Sequence, residues 1–280
     1  MRVRQPQFDF SNTRAHWAPI PEMAQMSNGS SIGIPALERF LNKVMARARA
    51  EIKGDDPASV KLRNDVAIFV KQESAHTAKH DAFNAIFPRN GYPKVPEIEK
   101  EIEAHYNRLL ETKSLAFLTA YCEGFETLSA AAGQTWLSGD MDKYLEGADP
   151  NVATMWRWHV MEEYEHRHVC HDVYHRIHGG YFLRIYGFFY QLYHFSRLGA
   201  MGRQYLLSVD YARMTPEEIA ASKARSKALG KEMLGKLLRN MWKVLSPFYR
   251  PHELEKPWQF EQVEASIDNE WSKKKAASPA

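Results

Sequence analysis

Two Glu-x-x-His motifs, Glu73-Ser-Ala-His76 and Glu163-Tyr-Glu-His166, limit what this chain can fold into more than any other feature. Residues three apart in a helix lie on one face, because each residue advances about 100°. The second motif is extended by His159, four residues before Glu163. His159, Glu163 and His166 then fall within roughly a 60° arc of one helix. Buried imidazoles and carboxylates need partners, and a metal ion accepts all of them at once. Two such helices, with one Glu from each of two more, form the di-iron or di-manganese site of ferritin-like four-helix bundles.

The rest of the chain offers those two glutamates. Ala36 to Met45 has helical periodicity, and Glu38 sits among Leu37, Phe40 and Leu41. Its plain alternative is a solvated glutamate at a helix start, with Pro35 in the first turn. Leu115 to Leu128 is apolar nearly all round, as in a buried helix, and carries Glu123 and Glu126. We favour Glu123 as the ligand and Glu126 as its neighbour, and spacing leaves the choice open. The order Glu38, Glu73/His76, Glu123, Glu163/His166 is that of the ferritin-like bundle, with His159 as an additional imidazole.

Gln72 and Glu162 each precede a ligand glutamate directly. Such neighbours can orient the opposite imidazole, and we assign Glu162 to His76 and Gln72 to His166. His80 and Asn84 continue the face of Glu73 and His76 at four-residue steps, and His80 reads as a residue supporting the ligands or the core. Asp172 is placed in the same supporting role.

Composition narrows the function. With 37 basic and 34 acidic residues the charge is balanced at +3, and no basic stripe interleaved with aromatics argues for nucleic acid. A share of 44% hydrophobic and 25% charged residues is ordinary for a globular protein. Two cysteines make no disulfide framework, and with no signal-type segment and no long apolar run we expect a cytoplasmic protein. The aromatic segment 181–207 reads as a packing helix, with a substrate wall, a homodimer face or peripheral membrane contact as its other readings. The expected architecture is all-α and single-domain over 1–280. A ferritin-like four-helix bundle spans 35–178, an irregular arm precedes it at 1–33, accessory helices follow at 181–271, and the tail 273–280 is disordered. Single long helices are expected over 97–137 and from Pro150 to about His178.

Two resemblances follow from these residues. Arg4, Asp9, Phe10, Trp17, Glu38-Arg39-Phe40, Gln72-Glu73-x-x-His76 with His80 and Asn84, and Trp158-His159-x-x-Glu162-Glu163-x-Glu165-His166 resemble the predicted metal-dependent hydrolases over most of the chain up to Arg184. Leu37 and His171 depart from that pattern, away from the expected ligands. The run His159-x-x-x-Glu163-x-x-His166 is similar to that of di-iron arylamine N-oxygenases, which implies three histidine ligands and dioxygen chemistry. From the donor set we expect first a di-iron oxygenase or oxidase. It would use two iron ions (alternatively manganese, mixed manganese and iron, or zinc), dioxygen, an electron donor and an apolar or aromatic small molecule. The second reading is a dinuclear hydrolase using a metal-bound hydroxide. The third is a non-enzymatic metal-binding or membrane-surface protein.

Overall fold

Local chemistry starts several helices. Asp56 accepts from the N–H groups of Ala58 and Ser59, with Pro57 in the first turn. Ser114 caps through Phe117 N–H, and Asp149 through Asn151 and Val152 ahead of Pro150. Thr215 and Glu218 form a reciprocal capping box. The computed structural model describes residues 1–277, and no strand occurs among them. The helices are α1 (Pro21–Glu51), α2 (Pro57–Asn84), α3 (Val95–Thr112), α4 (Leu115–Trp136), α5 (Asp142–Leu145), α6 (Pro150–His166), α7 (Val169–Ile177), α8 (Tyr181–Tyr211), α9 (Pro216–Met241) and α10 (Phe260–Ala277). The all-α bundle expected from the motifs is present. Helices α1, α2, α4 and α6 supply the motif residues, and α8 packs along α1 and α4.

Several boundaries differ from the expectation. α1 begins at Pro21, so residues 21–33 are helical and Pro35 lies inside the helix. The reason is tertiary: a Cβ on Gly29 would stand 2.7 Å from the Cβ of Arg203, so the small residues of this stretch permit close approach of α8. A second close crossing joins α4 to α8, where a Cβ on Gly124 would meet Phe188 Cα at 2.7 Å. The helix expected over 97–137 breaks at Lys113–Ser114, where the Ser114 cap restarts it as α4. The helix carrying the second motif breaks after His166 and resumes as α7, which Gly179 at φ +70° ends. Residues 273–277 of the supposed tail belong to α10, and 278–280 lie outside the described residues.

The arm before α1 is anchored by Phe10 and Trp17, both buried, and Trp17 donates to Asn28 Oδ1 at 2.9 Å. Phe40, Phe69, Phe83 and Phe87 are fully buried around the four-helix core. Each contributes about 1.5–3 kcal/mol through burial. Cys122 and Cys170 are buried free thiols. On α8, Phe182, Tyr186, Phe189 and Tyr193 are exposed, so this aromatic face points outward. Among the described residues no helix is long and apolar enough to cross a membrane.

Candidate metal centre

Glu38 from α1, Glu73 and His76 from α2, and His159, Glu163 and His166 from α6 meet in the core, each at most 4% exposed. Two donor groups overlap there, Glu38/His76/His159/Glu163 and Glu73/His76/Glu163/His166. Glu163 Oε1 lies 3.4 Å from His76 Nδ1, 3.3 Å from His159 Nε2 and 3.9 Å from His166 Nε2. Glu73 Oε1 lies 3.0 Å from His166 Nε2. Glu126 from α4 closes the edge, its Oε2 2.9 Å from His166 Nδ1.

Many inward-facing atoms of this cluster are unsatisfied. Glu38 Oε1, both oxygens of Glu73 and of Glu163, His76 Nδ1, Glu126 Oε1 and His166 Nε2 are buried without a hydrogen-bond partner among the described residues. Folded proteins leave few such atoms. A set of carboxylate oxygens and imidazole nitrogens aimed at one another fits divalent metal ions, which accept these donors.

The atoms facing away from the centre are engaged. His76 Nε2 donates to Glu162 Oε2 at 3.1 Å, which leaves the Nδ1 lone pair facing inward. Glu162 Oε1 in turn accepts from Arg4 at 3.1 Å. Glu38 Oε2 accepts from Thr77 Oγ1 at 2.8 Å, which turns Oε1 toward the cluster. A longer chain orients His159. Asn84 Nδ2 donates to the Ser31 carbonyl and to Glu99, so Asn84 Oδ1 accepts from Ser31 Oγ at 2.6 Å. Ser31 Oγ then accepts from His80 Nδ1 at 2.8 Å. That leaves His80 Nε2 to accept from His159 Nδ1 at 3.0 Å, and the Nε2 lone pair of His159 faces Glu163. The Ser31 carbonyl is free for Asn84 because Pro35, four residues on, has no N–H.

Charge is distributed unevenly over the centre. Burial, reinforced by the nearby Glu73 and Glu163, raises the Glu38 carboxyl well above its usual range. Burial and neighbouring carboxylates push Glu126 up to about 8 against the opposing pull of His166. Burial would raise Glu163 too, but the imidazoles of His166, His159 and His76 hold it well below the usual value. For His76 and His166 burial acts downward and the surrounding carboxylates outweigh it, raising both. Burial and the adjacent imidazoles lower His80 and His159.

Three expected residues stand elsewhere. Glu123 is not brought to the cluster: its Oε1 is 3.1 Å from His171 Nδ1, so His171 does touch an expected ligand, and 3.4 Å from Arg184. The close crossing at Gly124 fixes the roll of α4 against α8, which turns Glu123 toward α7 and α8 and Glu126 toward His166. Gln72 does not reach His166, since its amide donates to Glu165 and the Arg2 carbonyl instead. Asp172 faces outward and pairs with His252 at 3.0 Å, where His168 completes a separate surface group of possible donors. Glu162 reaches His76 as assigned, and His80 stands behind His159. Residue spacing carries no sign that Thr77 positions Glu38, that Ser31 joins His80 to Asn84, or that Arg184 holds Glu123.

A cavity reaches the cluster at His159 and Glu163. About 220 Å³ of it is open to the centre of a water molecule, far more than the roughly 10–15 Å³ one water needs. Its wall comes from α1, α4, α6 and α8. Phe195 is the contribution of the aromatic segment 181–195, whose exposed rings do not form the expected wall.

The family model described as "Predicted metal-dependent hydrolase" matches residues 2–255. Comparison with curated proteins and with solved structures gives no match. The similarity to di-iron N-oxygenases is therefore carried by no comparison. The expectation of a dioxygen-activating enzyme is corrected by the family match, which names hydrolysis, the reading placed second from sequence. Spanning nearly the whole chain, that match establishes that the chain belongs to the family of predicted metal-dependent hydrolases.

Proposed function

We propose that the chain is a dinuclear metal-dependent hydrolase acting on an ester or amide. The observation that carries this reading is the pair of overlapping donor groups whose inward atoms lack hydrogen-bond partners. Glu38, Glu73, His76, His159, Glu163 and His166 would hold two divalent ions, with Glu126 at the edge. Zinc, manganese and iron all suit a mixed carboxylate and imidazole set. When bound, such ions supply Lewis acidity, lowering the pKa of water and polarising the scissile carbonyl.

The chain's own residues do the rest. Arg4 holds Glu162 as an acceptor, and Glu162 keeps the His76 proton on Nε2. His80 keeps the His159 proton on Nδ1. Both imidazoles then present a lone pair to the centre without rearranging. Trp158 beside His76 and Phe69 beside His166, each at 4.8 Å between ring centroids, wall the centre with apolar surface and exclude water from behind the ligands. Low local polarity strengthens the field of the centre on a polarised carbonyl.

The test is metal analysis of the purified protein followed by assay against a panel of neutral esters and amides. Two ions per chain, with hydrolysis abolished by chelation and restored by metal, is the expected result. Full metal loading with no hydrolysis across the panel would overturn the reading.

A further inference from the structure

We infer that the cavity beside the centre binds the uncharged, apolar portion of the substrate, so that the substrates are esters or amides of aliphatic or aromatic acyl groups. This inference rests on the hydrolase reading for the chemistry and on the cavity for the selectivity. Ile34, Phe125, Leu128, Trp136, Trp156 and Phe195 line its apolar wall. No lysine, arginine or aspartate contributes to that lining, and its ionisable groups, His159 and Glu163, belong to the metal centre. A charged substituent would enter this space without a counter-ion, and desolvation of an unpaired charge is strongly unfavourable. An apolar chain meets the opposite balance, since each methylene removed from water favours binding.

The geometry also orients such a substrate. Polar contacts in the cavity come from Ser27, Ser30 and Ser129 on the wall and from His159 and Glu163 at the centre. A carbonyl placed at the centre leaves its acyl chain the apolar wall. Hydrolysis then forms a bond from the water oxygen to the acyl carbon and breaks the bond to the alcohol or amine. The leaving group takes up a proton derived from water, and no oxidant or reductant is required.

Binding can be measured apart from turnover, because Trp136 and Trp156 line the cavity. The metal-loaded protein is titrated with methyl ketones of increasing chain length, which cannot be hydrolysed. Tryptophan fluorescence reports binding. Ammonium compounds of matched length serve as the charged counterparts. Affinity for the ketones should rise about fourfold per methylene until the cavity is filled, and the ammonium series should bind at least tenfold more weakly. Ala132→Trp should abolish the chain-length dependence while metal content, read by elemental analysis, stays at the wild-type value. Ser30→Phe, on the opposite helix, provides the same test should Ala132→Trp fail to fold. Ketone affinity independent of chain length, or charged compounds binding as well as ketones, would overturn the inference even where esters are hydrolysed. Chain-length-dependent ketone binding without hydrolysis of any ester or amide would leave the cavity assignment standing and remove the hydrolase reading.

Discussion

Arg4 and Glu162 are separated by 158 positions in the chain and by 3.1 Å in the fold. Both are buried, and Glu162 passes the contact on to His76. Arg4 also reaches Glu165 at 2.9 Å and Glu264 at 2.7 Å, so one guanidinium joins the N-terminal arm, α6 and α10.

Glu162→Gln tests this link with little change of shape. Arg4 keeps Glu165 and Glu264 as partners, but His76 loses its charged acceptor. Metal affinity should fall roughly 10- to 100-fold, the usual effect of removing such a support. Competition with a chelator of known affinity measures it. Unchanged affinity would show that His76 needs no orientation from Glu162.

The two glutamates of α4 should respond differently. Glu126→Gln should lower metal occupancy, because Glu126 stands on His166, one of the imidazoles of the cluster. Glu123→Gln should leave occupancy intact and reduce stability on the order of 1–3 kcal/mol, since buried Arg184 loses its carboxylate. Elemental analysis and urea unfolding of both variants decide the matter. The opposite pattern would put Glu123 in the centre.

Metal loading should stabilise the fold, because the assembled donors exist only in the native state. Ions at 100 times their dissociation constant stabilise by about 2.7 kcal/mol per site. For a chain of this size that corresponds to a rise in Tm of roughly 5–10 °C. Differential scanning calorimetry with and without chelator measures the shift. A Tm indifferent to metal would argue against these donors as ligands.

Asp210 provides a pH test away from the centre. It is buried and accepts from Gln25 Nε2 at 2.6 Å, from Tyr92 at 2.6 Å and from His16 at 3.0 Å. Burial acts to raise its pKa, but these hydrogen bonds outweigh it and hold the group below the usual aspartate value. A carboxylate depressed on folding adds stability above its unfolded pKa near 4, and that stability disappears as pH falls through the folded value. Asp210→Asn should therefore be less stable than wild type at pH 6, with the gap closing below about pH 4. Urea midpoints across pH 2–7 follow it. A gap that does not change with pH would contradict the assignment.

What could be read from sequence follows the range of each interaction. Glu73 with His76, and His159 with Glu163 and His166, were legible because residues three and four apart share a helix face by geometry alone. Glu38 was legible as the acidic residue of an apolar helix. The choice between Glu123 and Glu126 was not, because both lie on a helix buried all round. The crossing at Gly124 decides which one faces His166, and only packing against α8 sets that crossing. Gln72 follows the same logic: its position in the sequence mirrors Glu162, yet Glu165 and the arm capture its amide. The outward aromatic face of α8 was equally hidden, because an aromatic run does not say which side meets a neighbour.

Pro35 has a consequence that reaches well beyond the backbone. Were an N–H present at that position, the Ser31 carbonyl would have its partner within α1, and Glu99 alone would hold the Asn84 amide the way round it sits. Because it is absent, both Asn84 hydrogens are committed, and every hydrogen bond from there to His159 can run in one direction only. The tautomer of a histidine on α6 is thus supported, together with Glu99, by an atom that a residue on α1 does not have. A change at position 35 or at position 84 therefore reaches the orientation of an imidazole that neither of them touches.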